Sequence, residues 1–277
     1  MTPFLETLIA SCALVPARPG FVGVEVDLVP AGRPAAGRVP LRHGFLEVRP
    51  SGPAVLSGPP SPGAAVALTR MTADLALAGP RTFTGGVRVN LEAGLDERGL
   101  LGLPRRWALA HAVAPVLAAA FANSPLRDGR PTGWRSLRQA SRIPPAAADL
   151  AAHLGAADLP VSARGHLAVD VADAQAGDDW QVPVAVITAL LDEPRAAVQA
   201  LGAVEPLRGE ARLWERAARD GLSDPMLARA ARLCFVAAYE GLARQGVGRD
   251  TRDTVAAFAD RYVMRARCPA DDVLASA

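Results

Sequence analysis

The sequence predicts an α+β fold: an antiparallel sheet from the first two-thirds of the chain, backed by helices, and then a helical C-terminal third. Two observations predict it. Residues 20–29 and 83–93 alternate apolar and polar positions, as half-buried strands do, whereas most segments after residue 180 show the longer spacing of helices. The chain has 277 residues, and 50% of them are hydrophobic, which is enough for one large domain or two small ones.

Alternation and turn residues locate the strands at 20–29, 44–49, 53–57, 83–93 and 164–172. A connector rich in Pro, Gly and Arg at 30–40 follows the first strand. The turn-forming Pro50-Ser51-Gly52 joins the next two strands into a hairpin. In the fourth strand, Arg88, Asn90 and Glu92 are two residues apart and are therefore expected on one face.

Helical spacing locates helices at 61–79, 105–122, 181–192, 210–220, 224–244 and 251–266. Ser61-Pro62 predicts the start of the first, because a capping side chain precedes a proline. The second is apolar almost throughout, which is typical of a helix buried on most sides. His111 in that helix is expected to be a core histidine. Asn123-Ser124-Pro125 should end the helix, and a Gly/Pro loop runs to residue 133.

Composition excludes several functional classes. All 30 basic residues are Arg, so the chain lacks the Lys that Schiff-base enzymes and P-loop nucleotidases require. The net charge is +2 and Arg alternates with acids, a pattern that does not indicate nucleic-acid binding. Cys12, Cys234 and Cys268 lie far apart, which predicts free thiols rather than a disulfide or metal framework. We find neither a signal peptide nor an apolar run of roughly 18 residues, and expect a cytoplasmic protein with no membrane partner.

Seven stretches, covering well over half of the chain, resemble one family. They are PARPGFVGVEVDLV (16–29), VRVNLEAG (87–94), RRWALAHAVAPVLAAAFANSPL (105–126), GRPTGWRSLRQA (129–140), RGHLAVDVADAQAGDDWQVPVAVITALLDEPRAA (164–197), ARDGLSDPMLARAA (218–231) and FADRYVMRARCPADD (258–272). In this order they resemble the bacterial type-2 glutamate–cysteine ligases. The combination of FANSP, GWRS and CPADD resembles the ergothioneine-pathway branch of that family.

The resemblance implies a single domain over residues 1–277, sheet-rich at 15–175 and helical at 180–270. Its sheet would be curved into an open funnel, as in the glutamine-synthetase-like ligases. The resemblance also implies a reaction, in which ATP phosphorylates the γ-carboxyl of glutamate and the cysteine amine attacks the acyl phosphate. ATP and Mg²⁺ are the implied cofactors, with glutamate and cysteine as substrates. Such chemistry requires acids that bind Mg²⁺ and arginines that bind phosphate or carboxylate oxygens.

The resemblance implies metal-binding acids on the first strand, where this chain has Glu25 and Asp27 on one face. They are candidate Mg²⁺ ligands, and the alternative is two solvated acids on the polar face of a strand. Glu47 is a third candidate, because it lies two residues from a position where the resemblance implies an acid and this chain has Arg49. Glu47 and Arg49 are also interpretable as an exposed ion pair that contributes little.

Other positions that should face metal or phosphate have also changed. Val55 stands where the resemblance implies an acid, and valine cannot bind Mg²⁺. Arg88 replaces a Gln and Ala168 replaces a Glu. Asp170 replaces an Arg, which puts a charge that repels phosphate where a charge that attracts it is implied. The changes to Arg49, Val55, Ala168 and Asp170 act against binding of Mg²⁺ or of anions.

Four residues remain as candidates for substrate or nucleotide binding. Asn90 is kept from the family's strand. Trp134 and Arg135 follow a Gly-rich loop, and such an Arg could bind a substrate carboxylate, although a surface stacking pair is an equally good interpretation. Arg164 matches the end of a family region that is shortened by several tens of residues after Arg142. A second shortening falls near residues 79–81.

Three interpretations follow. The first is a family member without catalysis that keeps the scaffold and binds a ligand or a partner protein, such as a related ligase or a pathway protein. The second is an active ATP- and Mg²⁺-dependent ligase that forms γ-glutamylcysteine or a related γ-glutamyl amide. The third, an unrelated scaffold, conflicts with seven ordered matches. We favour the first, because losing even one charge-stabilising group typically costs roughly 10²–10³ in rate.

Overall fold

The computed structural model describes residues 20–32, 35–79, 81–92, 101–142, 159–163 and 166–277. The strands are β1 (Phe21–Pro30), β2 (Gly37–Pro40), β3 (Phe45–Val48), β4 (Ala54–Ser57), β5 (Ser61–Pro62), β6 (Arg81–Leu91), β7 (Leu126–Arg127), β8 (Arg130–Pro131), β9 (Val161–Ala163) and β10 (Leu167–Asp173). The α-helices are α1 (Gly63–Leu77), α2 (Leu103–Ala120), α3 (Leu137–Ala140), α4 (Gln181–Asp192), α5 (Pro194–Val204), α6 (Leu213–Asp220), α7 (Pro225–Arg244), α8 (Arg249–Arg261) and α9 (Pro269–Ser276). Short 3₁₀ turns lie at Gly177–Trp180, Glu205–Leu207, Gly221–Ser223 and Val263–Arg265.

One antiparallel sheet contains most of the strands. Its order is β2-β3-β4-β1-β6-β10-β9, and β5 pairs with the start of β1. β7 and β8 form a separate two-stranded ribbon. The prediction that segments 20–29, 44–57, 83–93 and 164–172 share one antiparallel sheet is confirmed, with the last strand beginning at Leu167.

One face of the sheet packs against helices because alternate residues of its central strands are apolar. The buried residues of this face on β1 and β6 are Val22, Val24, Val26, Leu28, Val87, Val89 and Leu91. Helix α1 packs against β1, α4 against β6 and α2 against β10. Burying a Val or Leu side chain contributes about 1.5–3 kcal/mol, so this apolar set determines which side of each strand turns away from the helices. The predicted packing of the 105–122 helix on the sheet is confirmed.

The helical C-terminal third is also confirmed, and acid–proline pairs begin two of its helices. A Glu193 oxygen accepts a hydrogen bond from the Ala196 N–H at 2.8 Å, and Asp224 accepts one from the Met226 N–H at 2.9 Å. Proline follows each capping acid, in the first helical turn. Three phenylalanine rings lie with centroids 5.5–6.0 Å apart: Phe121 at the end of α2, Phe235 on α7 and Phe258 on α8.

Two local predictions are wrong. Ser61 does not cap the first helix, because its backbone pairs with Val22 as β5 and its hydroxyl donates to the Pro59 carbonyl. The helix begins at Gly63 instead. Glu92 does not share a face with Arg88, since it lies just past the end of β6, where its buried carboxylate accepts the Phe21 N–H at 2.9 Å.

Several boundaries also differ from the prediction. The connector at 30–40 contains the exposed edge strand β2, whose four residues pair with β3. The loop before residue 133 contains the β7–β8 ribbon, and the helices α5 and α9 were not predicted from the sequence. Helix α8 ends at Arg261, where a 3₁₀ turn replaces the last predicted turn. Within the described ranges, no helix combines the length and apolar character needed to cross a bilayer.

Candidate functional site

The side of the sheet that faces away from the helices carries a cluster of charged and amide side chains, which we call the polar face. It consists of Glu25 and Asp27 on β1, Arg88 and Asn90 on β6, and Asp170 on β10. In the β1–β6 register, Glu25 lies directly opposite Arg88 and Gly23 opposite Asn90. Residues directly opposite each other in an antiparallel pair share a face, so the alternation that buries the valines of β1 also brings these polar groups together.

Both carboxylate oxygens of Glu25 have a partner. Oε2 lies 2.6 Å from Nη1 of Arg88, and Oε1 accepts a hydrogen bond from Nδ2 of Asn90 at 3.3 Å. The Glu25 and Arg88 side chains are 28% and 39% exposed. Glu25 and Asn90 therefore lie on the same face of the sheet and in contact.

Asp170 is the centre of this cluster and is surrounded by three arginines. Its Oδ2 lies 3.1 Å from Nη2 of Arg88 and 2.9 Å from Nη2 of Arg142, and Oδ1 accepts from Arg138. The Asp170 side chain is 5% exposed. Burial alone would raise the pKa of this carboxyl, but Arg138, Arg142 and Arg88 together hold the pKa well below its usual range.

The arginines respond to the same charges in the opposite sense. Burial acts to lower the pKa of both Arg88 and Arg138, but the neighbouring carboxylates, Asp170 foremost among them, together outweigh burial and raise both pKa values. Asp170 lies within an irregularity of the β10–β6 pairing, because the register shifts between Val169 and Ala172. Arg138 and Arg142 are four residues apart at helix α3 and its end, so one helical turn brings both guanidinium groups to one carboxylate.

Asp27 is held at the edge of the cluster by a backbone group. Its Oδ2 accepts a hydrogen bond from the Gly86 N–H at 3.0 Å. Burial raises the pKa of Asp27, in spite of the nearby Arg138 charge and this hydrogen bond. Glycine is required at position 86, because a Cβ there would lie 2.6 Å from Cζ of Arg138 and 2.7 Å from the Ala172 carbonyl oxygen. The absent side chain makes room for the Arg138 guanidinium over the strand.

Glu47 lies on the same face but remote from the two acids of β1. Val55 is directly opposite both Asp27 on β1 and Glu47 on β3, which separates the two acids by two inter-strand spacings, roughly 10 Å. Glu47 Oε1 is 4.0 Å from Nε of Arg49, and both side chains are about half exposed. This is the exposed pair that the sequence offered as the alternative, and such pairs contribute little.

Trp134 and Arg135 lie where the helical third meets the β7–β8 ribbon. The Arg135 N–H donates to the Ala218 carbonyl at 2.9 Å, and its Nε lies 3.1 Å from Oδ1 of Asp271 on α9. The Trp134 N–H donates to Oγ1 of Thr132. The Arg135 guanidinium is therefore engaged by a C-terminal acid rather than by the polar face. Arg164 lies outside the described residues, and its role stays a prediction, as does that of Asn90.

The sequence reasoning missed Arg138 and Arg142, although a signal was present. In the stretch GWRSLRQASR, Arg135 was chosen as a candidate because it follows Trp134. The useful signal was the four-residue spacing of Arg138 and Arg142, which places two side chains on one face of a helix. His111 was predicted to be a core residue, and its ring lies 4.6 Å from that of Trp107 on helix α2, which packs on the helix-covered side of the sheet.

The donor set of the polar face does not fit Mg²⁺ held with ATP phosphates. Magnesium takes close to six oxygen ligands, of which protein carboxylates usually supply one or two. Here the oxygens of Glu25 and Asp170 already accept from arginine and amide donors. Across the part of the chain that the structure describes, no three His, Cys, Asp or Glu residues are grouped so that they could hold a metal ion.

Comparison with known sequences decides the family. The model of the family described as Glutamate-cysteine ligase family 2 (GCS2) matches residues 69–146 and 141–276. The chain belongs to this family. The two matched segments meet at 141–146, next to the position after Arg142 at which the resemblance implies a shortening.

Two relatives confirm the predicted branch. Glutamate–cysteine ligase EgtA of Mycobacterium tuberculosis is 29% identical over 255 residues, and EgtA of Mycolicibacterium smegmatis is 30% identical over 252 residues. Each match covers 69% of this chain and 56% of the relative, so the chain spans little more than half the length of these relatives. Among solved structures, the crystal structure of the complex between Prokaryotic Ubiquitin-like Protein Pup and its ligase PafA matches with a TM-score of 0.49 and 11% identity, over 87% of this chain and 63% of that chain. That likeness is too weak to carry an argument.

Proposed function

We propose that this chain is a glutamate–cysteine ligase family protein that has lost ATP-dependent ligation and retains the fold for binding a ligand or a partner protein. A related ligase is the first partner to test. The observation that carries the proposal is the position of Arg88, whose guanidinium lies 2.6 Å from Glu25 and 3.1 Å from Asp170. This one cation joins the acids of β1 and β10 into an internal ion-pair network.

The network opposes the binding of Mg²⁺ in two ways. A divalent cation at Glu25 must displace or approach the Arg88 guanidinium, and like charges within a few ångströms repel. Breaking the contacts of Asp170 would also remove the one carboxylate that Arg88, Arg138 and Arg142 share, which is costly in a partly buried network. The charges of the polar face therefore compensate one another without a metal ion. In a catalytic metal site the bound metal would supply that compensation.

The same network opposes the binding of phosphate. The three arginines that converge on Asp170 are the groups that could bind phosphate oxygens bidentately. Asp170 already accepts from all three, and its depressed pKa keeps it ionised at every pH at which the fold is expected to function. An incoming phosphate must compete with a carboxylate that is covalently part of the site.

The supporting scaffold is retained, which is the reason to propose a binding role. The family match extends over residues 69–276, and the apolar face of the sheet is covered by helices over its central strands. Selection for a fold of this size requires a use for its surface. A ligase of the same family is a reasonable first partner, because it shares the ancestry of this chain.

A ligation assay tests the proposal directly. Purified protein is incubated with glutamate, cysteine and MgATP, and both ADP release and γ-glutamylcysteine are measured, beside the Glu25→Ala variant as a matched background. We expect wild-type and variant to give the same signal. Turnover of the wild type clearly above that of Glu25→Ala contradicts the proposal and establishes ligation.

The second candidate is an active ligase with altered metal ligation, and one observation favours it. Arg88, Arg138 and Arg142 place three guanidinium groups within hydrogen-bonding distance of one point on the polar face. If ATP displaces Asp170 from them, the site gains a phosphate cradle. Calorimetric titration with MgATP separates the two candidates: Mg²⁺-dependent binding that is lost in Arg142→Gln supports the ligase, and absence of binding supports the scaffold.

A further inference from the structure

A cavity of about 550 Å³ lies at the end of the sheet where β6 begins and β10 finishes. It is lined, among other residues, by Arg81, Phe83, Asn123, Gln175, Asp178 and Trp180. None of the polar-face residues lines it, as far as the structure describes the chain. The cavity is within the size range of pockets that bind small molecules, roughly 300–1,000 Å³.

Arg81 supplies this cavity with a cation that is paired with none of the acids among the described residues. Its Nη1 donates to the carbonyl oxygens of Leu75 and Gly79 at the end of α1, which anchors the side chain. Its Nε is buried and has no hydrogen-bond partner in the described part of the chain. Burial lowers the pKa of Arg81, and no carboxylate acts against this effect. A partly desolvated guanidinium without a counterion favours an anion.

Asn123 supplies an acceptor that has no donor. Its Nδ2 donates to the Ala174 carbonyl at 2.7 Å, and this bond determines which way the amide faces. Its Oδ1 is buried and has no partner among the described residues. A buried amide oxygen without a donor is unfavourable, so an O–H or N–H group that reaches it would stabilise the complex.

The remaining walls combine two aromatic rings with one carboxylate. Phe83 and Trp180 line the cavity, and Trp180 is almost fully buried, so its position is determined by the core. The Arg81 guanidinium lies 5.7 Å from the centroid of the Phe83 ring. Asp178 is exposed, and water therefore screens its repulsion of an anion. The cavity thus offers a donor, an acceptor and an apolar surface to one small molecule.

We propose that this cavity binds a small organic carboxylate that also carries a hydroxyl or amide N–H. The carboxylate binds Arg81, the donor group reaches Oδ1 of Asn123, and an apolar substituent packs on Phe83 and Trp180. The site is distinct from the polar face, so the proposal holds whether or not ligation has been lost.

Three probes that differ by one group each test the recognition. 3-Phenyllactate carries the carboxylate, the hydroxyl and the ring; 3-phenylpropionate lacks the hydroxyl; 3-phenyllactamide lacks the charge. Ligand-observed NMR with a calorimetric titration of the 277-residue protein measures their dissociation constants. We expect saturable binding of phenyllactate, and about tenfold weaker binding of each of the other two. No saturable binding of phenyllactate, or equal binding of all three probes, overturns the proposal.

Variants locate the binding. Arg81→Gln should weaken phenyllactate binding about tenfold or more, whereas Arg70→Gln, which removes a partly buried arginine of α1 outside this cavity, should leave it unchanged. Equal effects of the two variants contradict the assignment. Because Arg81 also anchors the end of α1, Asp178→Asn provides a test at an exposed position that does not depend on folding. It should tighten phenyllactate binding about twofold by removing a like charge, and unchanged or weaker binding counts against the proposal.

Discussion

Val55 lies directly opposite Asp27 in the register of β1 and β4, with both side chains on the polar face. Opposed side chains in an antiparallel pair have Cβ atoms about 4.5–5.5 Å apart, a separation at which two carboxylates can bind one cation. Here the partner of Asp27 is an isopropyl group, which is buried and offers no oxygen. The register thus explains, at the level of one residue pair, why the acids of β1 lack a metal-binding neighbour on β4.

Restoring that neighbour should restore metal binding. The double variant Val55→Glu/Arg88→Gln adds a carboxylate opposite Asp27 and releases Glu25 from its guanidinium partner. We expect Mg²⁺ to bind this variant with a dissociation constant in the millimolar range and to show no saturable binding to the wild type. Isothermal titration calorimetry measures both. Adding Glu25→Ala should abolish the gain, and a gain that survives this third change would show that the metal binds elsewhere.

Gly86 should be intolerant of a side chain. Gly86→Ala places a methyl group 2.7 Å from the Ala172 carbonyl oxygen, and backbone cannot move away as a side chain can. Overpacking of this kind costs about 1–3 kcal/mol. Gly202→Ala on α5 is the matched control, because nothing lies within 4 Å of its added carbon and alanine favours a helix. Urea denaturation should show the first variant less stable and the second about 0.5–1 kcal/mol more stable than the wild type.

The sheet was predictable because burial imposes a period of two on its strands. Val22, Val24 and Val26 repeat at that period, and so do Val87 and Val89. The polar residues between them had to share the opposite face. The alternation thus predicted which residues share a face within β1 and within β6, whereas the contact between Glu25 and Asn90 also depends on the pairing of these two strands.

The partners of the charged residues could not be predicted in this way. Which acid meets Arg88 depends on the β1–β6 register and on the register break in β10 near Asp170, and both are set by long-range packing. Sequence reasoning treated Asp170 as an isolated repulsive charge, whereas the fold surrounds it with arginines. Helix α5 was missed although a local signal was present: Glu193-Pro194 is a capping acid followed by proline, directly after the predicted helix end at residue 192.

The two described cysteines should resist modification in the folded protein. Cys234 and Cys268 are both fully buried, and burial is the main effect that raises the pKa of each thiol to about 12. At pH near 8 the reactive thiolate is then roughly a thousandfold rarer than for an ordinary thiol. In a Cys12→Ser variant, a disulfide reagent should label neither cysteine before unfolding, and both in guanidinium chloride. Rapid native labelling of either residue would contradict the burial.

The ion-pair network around Asp170 should contribute most of its stabilisation above pH 4. Asp170→Asn removes the one carboxylate shared by Arg88, Arg138 and Arg142 and so weakens the charge compensation of all three. Breaking a buried ion pair by removing one partner costs about 3–5 kcal/mol. Because Arg88 is 39% exposed and water screens it, we expect the lower end, about 3 kcal/mol. Equilibrium unfolding in urea at neutral pH measures the difference.

The pH dependence of that difference identifies the charge as its cause. The pKa of Asp170 is lower in the folded protein than the value of about 3.9 in the unfolded chain, so the unfolded state binds protons first as the pH falls. The stabilisation is therefore fully present above pH 4 and is lost progressively as the pH decreases through the folded pKa.

Burial shifts the pKa values of Asp27 and Asp173 upward instead, which acts in the opposite sense on the pH dependence of the total stability. The wild type must for that reason be compared with Asp170→Asn at each pH. We expect the difference in free energy of unfolding between the wild type and Asp170→Asn to be constant from pH 5 to 8 and to decrease below about pH 4. A gap that is independent of pH would mean that Asp170 stabilises the fold through its shape or neutral hydrogen bonds, and the network would then not be the electrostatic barrier to Mg²⁺ and ATP that we propose.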